Sequence, residues 1–141
     1  MNAKQINRFW SSAGRIIDLA AKYSQRISLK ESLLDESEEW KVRNVLDRYY
    51  DGDISNLNKS IKNAKKQFER EVMMYNLDCQ HEGLKEVRKI ETLLELLLDP
   101  QRRMFYKKAI KKAKEEQIVY PLQDIEKAFR ESKKTNKNTT K

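Results

Sequence analysis

The chain has 141 residues, room for one hydrophobic core with extensions and too little for two of ordinary size. With 3 Gly and 2 Pro against 37% charged residues, it lacks the turn residues of a many-stranded sheet, so the expected fold class is all-α. Its net charge of +8 excludes nothing by itself, but its placement matters. Residues 1 to 100 balance, whereas beyond residue 100 there are 13 Lys and Arg against 5 Asp and Glu. Such asymmetry suits a face or tail that meets an anionic partner.

In chain order, the first helix is predicted from about Ala3 to Ile27. Ile6, Phe9, Trp10, Ala13, Ile16, Ile17, Ala20, Tyr23 and Ile27 recur there at helical spacing. Gly14 weakens it by about 1 kcal/mol relative to Ala without breaking it. A second helix, with Asp35 or Ser37 as N-cap, carries Trp40, Val42, Val45, Leu46, Tyr49 and Tyr50 and ends at Asp51-Gly52-Asp53. Trp10 and Trp40 lie on apolar stripes and are expected in the core.

The third helix has the cleanest stripe, Leu57, Ile61, Ala64, Phe68, Val72 and Tyr75, with Asp53 or Ser55 as N-cap. Lys59, Lys62, Lys65, Lys66 and Arg70 make its other faces basic. Leu84, Val87, Ile90, Leu93, Leu94 and Leu97 predict a fourth helix, packed antiparallel on the third at the centre of the fold. It is stopped by Asp99-Pro100, which also starts a fifth helix with Met104, Phe105, Ala109, Ile110 and Ala113. A last short helix begins near Pro121, and from Ser132 the purely polar sequence reads as a disordered tail.

No stretch approaches the roughly 20 apolar residues of a membrane span, and Met1 to Ala13 has no apolar signal-peptide core. Cys79 is the only cysteine and His81 the only histidine, so neither a disulfide nor a zinc site is expected. These features point to the cytoplasm or another reducing compartment. The chain has no glycine-rich phosphate loop, nucleophile elbow or helical metal motif. No enzymatic activity, cofactor or metal is therefore expected.

Two binding modes remain. Arg103, Lys107, Lys111 and Lys114 form one stripe on the fifth helix, suited to the phosphates of DNA or RNA or to an acidic partner. The other mode is a protein-interaction module serving a larger assembly.

Leu97-Leu98-Asp99-Pro100-Gln101-Arg102-Arg103-Met104-Phe105-Tyr106 is similar to the junction of helices III and IV in the J-domain, the co-chaperone module of the DnaJ family. Lys65-Lys66-Gln67-Phe68 through Tyr75 resembles its helix II, and Tyr49-Tyr50 the aromatics at the start of its helix I. The resemblance spans about Arg48 to Lys108. It implies a J-like helical pair and a docking face made of Lys62, Lys65, Lys66, Arg70 and Asp78. Where the family has His-Pro-Asp in the loop after helix II, this chain reads Asn76-Leu77-Asp78. The implied relation is a degenerate J-domain that could meet a DnaK-type chaperone without stimulating it.

The expected organisation is an N-terminal helical extension (1–47), a J-like core (48–116), a C-terminal helix (117–131) and a basic tail (132–141).

Overall fold

The computed structural model describes residues 1–33 and 39–139, excepting the side chains at 39, 41, 42 and 135–139. Among these the chain is all-helical: α1 (Ala3–Leu33), α2 (Glu39–Tyr50), α3 (Ile54–Glu82), α4 (Ile90–Leu96), α5 (Pro100–Glu116) and α6 (Leu122–Thr139). No helix among the described residues is long and apolar enough to cross a membrane. The expected caps Asp35 and Ser37 lie outside the described residues.

Polar side chains set several helix ends. At the start of α1, Gln5 N–H donates to Asn2 Oδ1 and Asn2 N–H to Gln5 Oε1, both at 2.9 Å. This reciprocal pair satisfies two donors of the first turn. Asp53 caps α3 by accepting the Ser55 N–H, and Asp99 caps α5 by accepting the Gln101 N–H, both at 2.9 Å. Pro100 opens α5, where its missing N–H costs no helical bond.

The α2 to α3 turn places Asp51 and Gly52 at φ of 55° and 72°. A Cβ on Gly52 would meet only the carboxylate end of the exposed Asp47, which can turn away, so it is the positive φ that favours glycine here.

The centre of the fold is the pairing of α1 with α3, while α3 also meets the short α4, through Lys65 and Glu91. Arg8 bonds Asp78, Arg15 bonds Glu71, and Arg26 bonds the Ser60 carbonyl. Rising numbers on one helix meet falling numbers on the other, so the two are antiparallel. Between them lie Phe9, Trp10, Ala13, Ile16, Ile17 and Ala20 from α1 and Phe68, Val72, Tyr75 and Cys79 from α3.

α5 runs along α1 in the same opposed sense, through Lys107 to Asp18 and Lys114 to Ser11. α6 folds back on α5, with Phe105 and Phe129 in edge contact at 5.3 Å. α1 is thus the core's axis. The sequence alone could not choose among four competing apolar stripes.

Four further expectations change. α1 continues six residues past Ile27 to Leu33, with Leu29 and Leu33 half-buried. The predicted fourth helix loses its first half: Gly83 takes a left-handed φ of 66° and ends α3, and residues 84–89 run non-helically before α4 begins. Trp10 is fully buried, but Trp40 is 64% exposed. Of the described α2 side chains only Leu46 is buried, so that helix meets the core along a narrow line that Trp40 does not join. α6 runs to Thr139 where composition suggested a disordered tail. That stretch has no Gly or Pro to stop it, and lysine is a good helix former.

Candidate interaction groove

The loop before α6 is held from beneath. Trp10 Nε1–H donates to the Ile118 carbonyl at 2.7 Å, and the Leu122 N–H donates to Tyr75 Oη at 2.9 Å. Trp10 also stacks edge-on against Phe9 and Tyr120. Two core aromatics therefore fix where α6 starts. Burial, and the neighbouring Cys79, push the Tyr75 hydroxyl far above the ordinary tyrosine range, so it stays protonated.

On the other side, residues 84–89 are clamped to α3. Asn76 Nδ2 donates to the Val87 carbonyl and the Val87 N–H donates to Asn76 Oδ1, both at 2.9 Å. The amide supplies both bonds that a neighbouring strand would, so the N–H and C=O of Val87 stay paired where the segment leaves the helix. Gln123 on α6 donates to the Glu86 carbonyl at 2.7 Å and bridges the two elements at one end.

Between them lies a groove of about 480 Å³, within the range typical of ligand sites. Val87, Leu93 and Leu96 form one wall, Leu122 and Gln123 the other, and Tyr106 contributes from α5. Arg88 and Lys89 stand on one lip, Lys127, Arg130 and Lys134 on the other.

Below the lip, Glu126 is 9% exposed and accepts three side-chain donors. Tyr106 Oη and Arg102 Nε reach Oε1 at 3.0 Å, and Arg130 Nε reaches Oε2 at 2.7 Å. Asp99 holds Arg102 from the far side at 3.3 Å, while Arg102 also lies over the Phe129 ring. A carboxylate this enclosed needs such partners. Burial, then the Glu126 charge, raise the Tyr106 hydroxyl well above its usual range. The cluster ties α5 to α6 and gives the groove a rigid base; with its lone pairs engaged, Glu126 is poorly placed as a general base.

The sequence-predicted sites are only partly brought together. On α5, Arg103 donates to the Leu97 and Leu98 carbonyls at 2.8 and 3.0 Å, which makes it a cap for the end of α4. Lys107 pairs with Asp18, and Lys114 donates to Ser11 Oγ at 3.2 Å. Lys111 points outward beside Lys108 and Lys112. Two of the four stripe cations, Lys107 and Lys114, thus face the α1 seam and Arg103 faces the end of α4, because the stripe lies at the edge of the buried face and not opposite it.

On α3, Lys62, Lys66 and Arg70 are exposed. Lys65 turns to Glu91 at 3.3 Å, a hydrogen bond that raises its pKa, and Asp78 is bound by Arg8 at 3.2 Å. The resemblance to the J-domain implies that Asn76-Leu77-Asp78 is a loop. Here it is the interior of α3, since nothing stops that helix before Gly83.

Sequence reasoning missed the groove itself. One signal was present: Leu122, Ile125, Glu126 and Phe129 share the apolar face of α6, and a carboxylate inside such a stripe marks a buried polar cluster. The lip cations carried no signal, since they belong to two segments 30 or more residues apart.

Cys79 is buried, and desolvation raises its thiol pKa. Among the described residues no group of three or more His, Cys, Asp or Glu could hold a metal. Comparison of the chain with protein-family models, with curated proteins and with solved structures gave no match.

Proposed function

We propose that this chain is a non-catalytic helical module that binds a protein partner, as a subunit of a larger assembly, through the groove between residues 87–96 and α6. The observation that supports it is the groove's make-up: apolar walls, cationic lips and a base held rigid by the Glu126 cluster. Apolar surface rimmed by polar groups marks interaction sites. An open channel beside a helix suits another helix or an extended segment laid along it.

Nucleic-acid binding along α5 has less behind it. Arg103 and Lys114 already bond within the fold and Lys107 pairs with Asp18 at the surface. Among the described residues this leaves Lys108, Lys111 and Lys112 as the exposed cations with no acidic partner across the α1 seam. Base stacking lacks a platform there too, as Phe105 and Tyr106 turn inward. The J-like docking cations Lys62, Lys66 and Arg70 offer a separate exposed face without the family's loop beside it.

The test is fluorescence anisotropy with amphipathic helical peptides and with a short DNA duplex, at about 150 mM salt. The reading expects peptide binding in the region of about micromolar that Leu96→Asp abolishes and Lys108→Ala with Lys111→Ala leaves alone. Duplex binding that is tighter than peptide binding, survives Leu96→Asp and falls with the lysine pair would replace it.

A further inference from the structure

We infer that the occupant of the groove is an acidic amphipathic helix of a partner protein, with carboxylates flanking its apolar stripe. This rests on the groove reading of the preceding subsection and goes beyond it in specifying the partner's charge.

Both lips are net positive, the α6 side despite the exposed Glu131 beside Lys127, Arg130 and Lys134. Lys127, Arg130 and Lys134 recur at i, i+3 and i+7 along α6, so they line one side of the channel turn by turn. Arg88 and Lys89 stand on the opposite side. Among the lining residues only Glu126 and Glu131 are acidic, and Glu126 lies below the surface, already engaged by Arg102, Arg130 and Tyr106. A basic or neutral helix would leave this field unanswered, and like charges across such a lip are costly.

The apolar walls select against the other anionic polymers. They are aliphatic, from Val87, Leu93, Leu96 and Leu122, and would press against the hydrated phosphates of a nucleic acid. The one ring in the lining, Tyr106, is 1% exposed and offers no stacking face. The nearest ring on α6, Phe129, is covered by Arg102 and Lys133 at 4.9 and 5.0 Å and offers bases no stacking face. A helix with apolar residues at i, i+3 or i+4 and i+7, and glutamates beside them, meets both the apolar walls and the lips.

The experiment uses three designed peptides of about four helical turns with one leucine stripe, flanked by glutamates, glutamines or lysines, titrated against the full chain by anisotropy. At about 50 mM salt the glutamate peptide is expected to bind about tenfold tighter than the glutamine peptide, several exposed ion pairs each adding a modest factor. That margin should shrink at about 1 M salt, where the Debye length is about 3 Å. The double variant Lys127→Glu, Lys134→Glu changes exposed side chains only, and should invert the order so that the lysine peptide binds best.

Equal binding of the glutamate and glutamine peptides, both lost in Leu96→Asp, would overturn the acidic partner while leaving the groove reading standing. If none of the three binds, or if Leu96→Asp changes nothing, the groove reading falls and this inference with it.

Discussion

Asn76 and Val87 exchange two hydrogen bonds of 2.9 Å, one in each direction, between a side-chain amide on α3 and the backbone of the segment that returns along it. The pair pins the non-helical residues between Gly83 and α4 along α3, where Val87 forms part of a wall of the groove. Asn76→Ala should leave a partly buried N–H and C=O of Val87 without partners and cost about 2 kcal/mol. Asn76→Asp keeps the acceptor but sets a carboxylate oxygen against the Val87 carbonyl, so it should not rescue the loss. Urea denaturation of the three proteins measures both effects.

Gly14 lies within α1, and no atom stands within 4 Å of where its Cβ would be. Gly14→Ala should therefore stabilise the protein by about 0.5 to 1 kcal/mol, through helix propensity and a less flexible unfolded chain. A rise in the thermal midpoint is the expected result.

Arg103 and Lys111 sit on the same helix and belong to the same basic stripe by sequence, yet they do different work. Arg103→Ala removes both bonds to the Leu97 and Leu98 carbonyls and should cost about 1 to 2 kcal/mol. Lys111→Ala, at an exposed position, should stay within about 0.5 kcal/mol of wild type. Paired denaturation curves separate a fold-supporting cation from a solvated one.

The contrast shows what the sequence could carry. Helical content, a cap at Asp53 or Ser55 and the Asp99-Pro100 start all follow from local chemistry, and all three are found in place, with Asp53 as the cap. Phe68 in the core followed from spacing alone and is fully buried. Which helix lies against which did not follow, because α1, α3, α5 and α6 each present an apolar stripe and their pairing is decided by fit. Whether a lysine is spent on the fold depends on that pairing, as Lys107 and Asp18 illustrate across 89 residues.

Tyr106 holds its proton more firmly in the fold than in the unfolded chain, from burial and from the Glu126 charge. Its contribution is complete below the ordinary tyrosine value near pH 10 and is lost as pH climbs beyond it, where only the unfolded chain gives up the proton. Stability should therefore decline above about pH 10. Tyr106→Phe should cost about 1 kcal/mol at neutral pH for the lost bond to Glu126 and should make the alkaline decline shallower. Tyr75, raised in the same direction, leaves some of that decline in place.

The most direct test of the groove as the working surface is an amide chemical-shift map of the labelled chain during titration with the glutamate-flanked leucine peptide. The expected result is saturable shifts concentrated at residues 86–96 and 122–134, with Gln123 and the lip cations among the largest. The outer face of α3 around Met73, Met74 and Leu77, which is also exposed and apolar, should stay still. Shifts confined to that α3 face or to Lys108, Lys111 and Lys112, with the groove unmoved, would contradict the account.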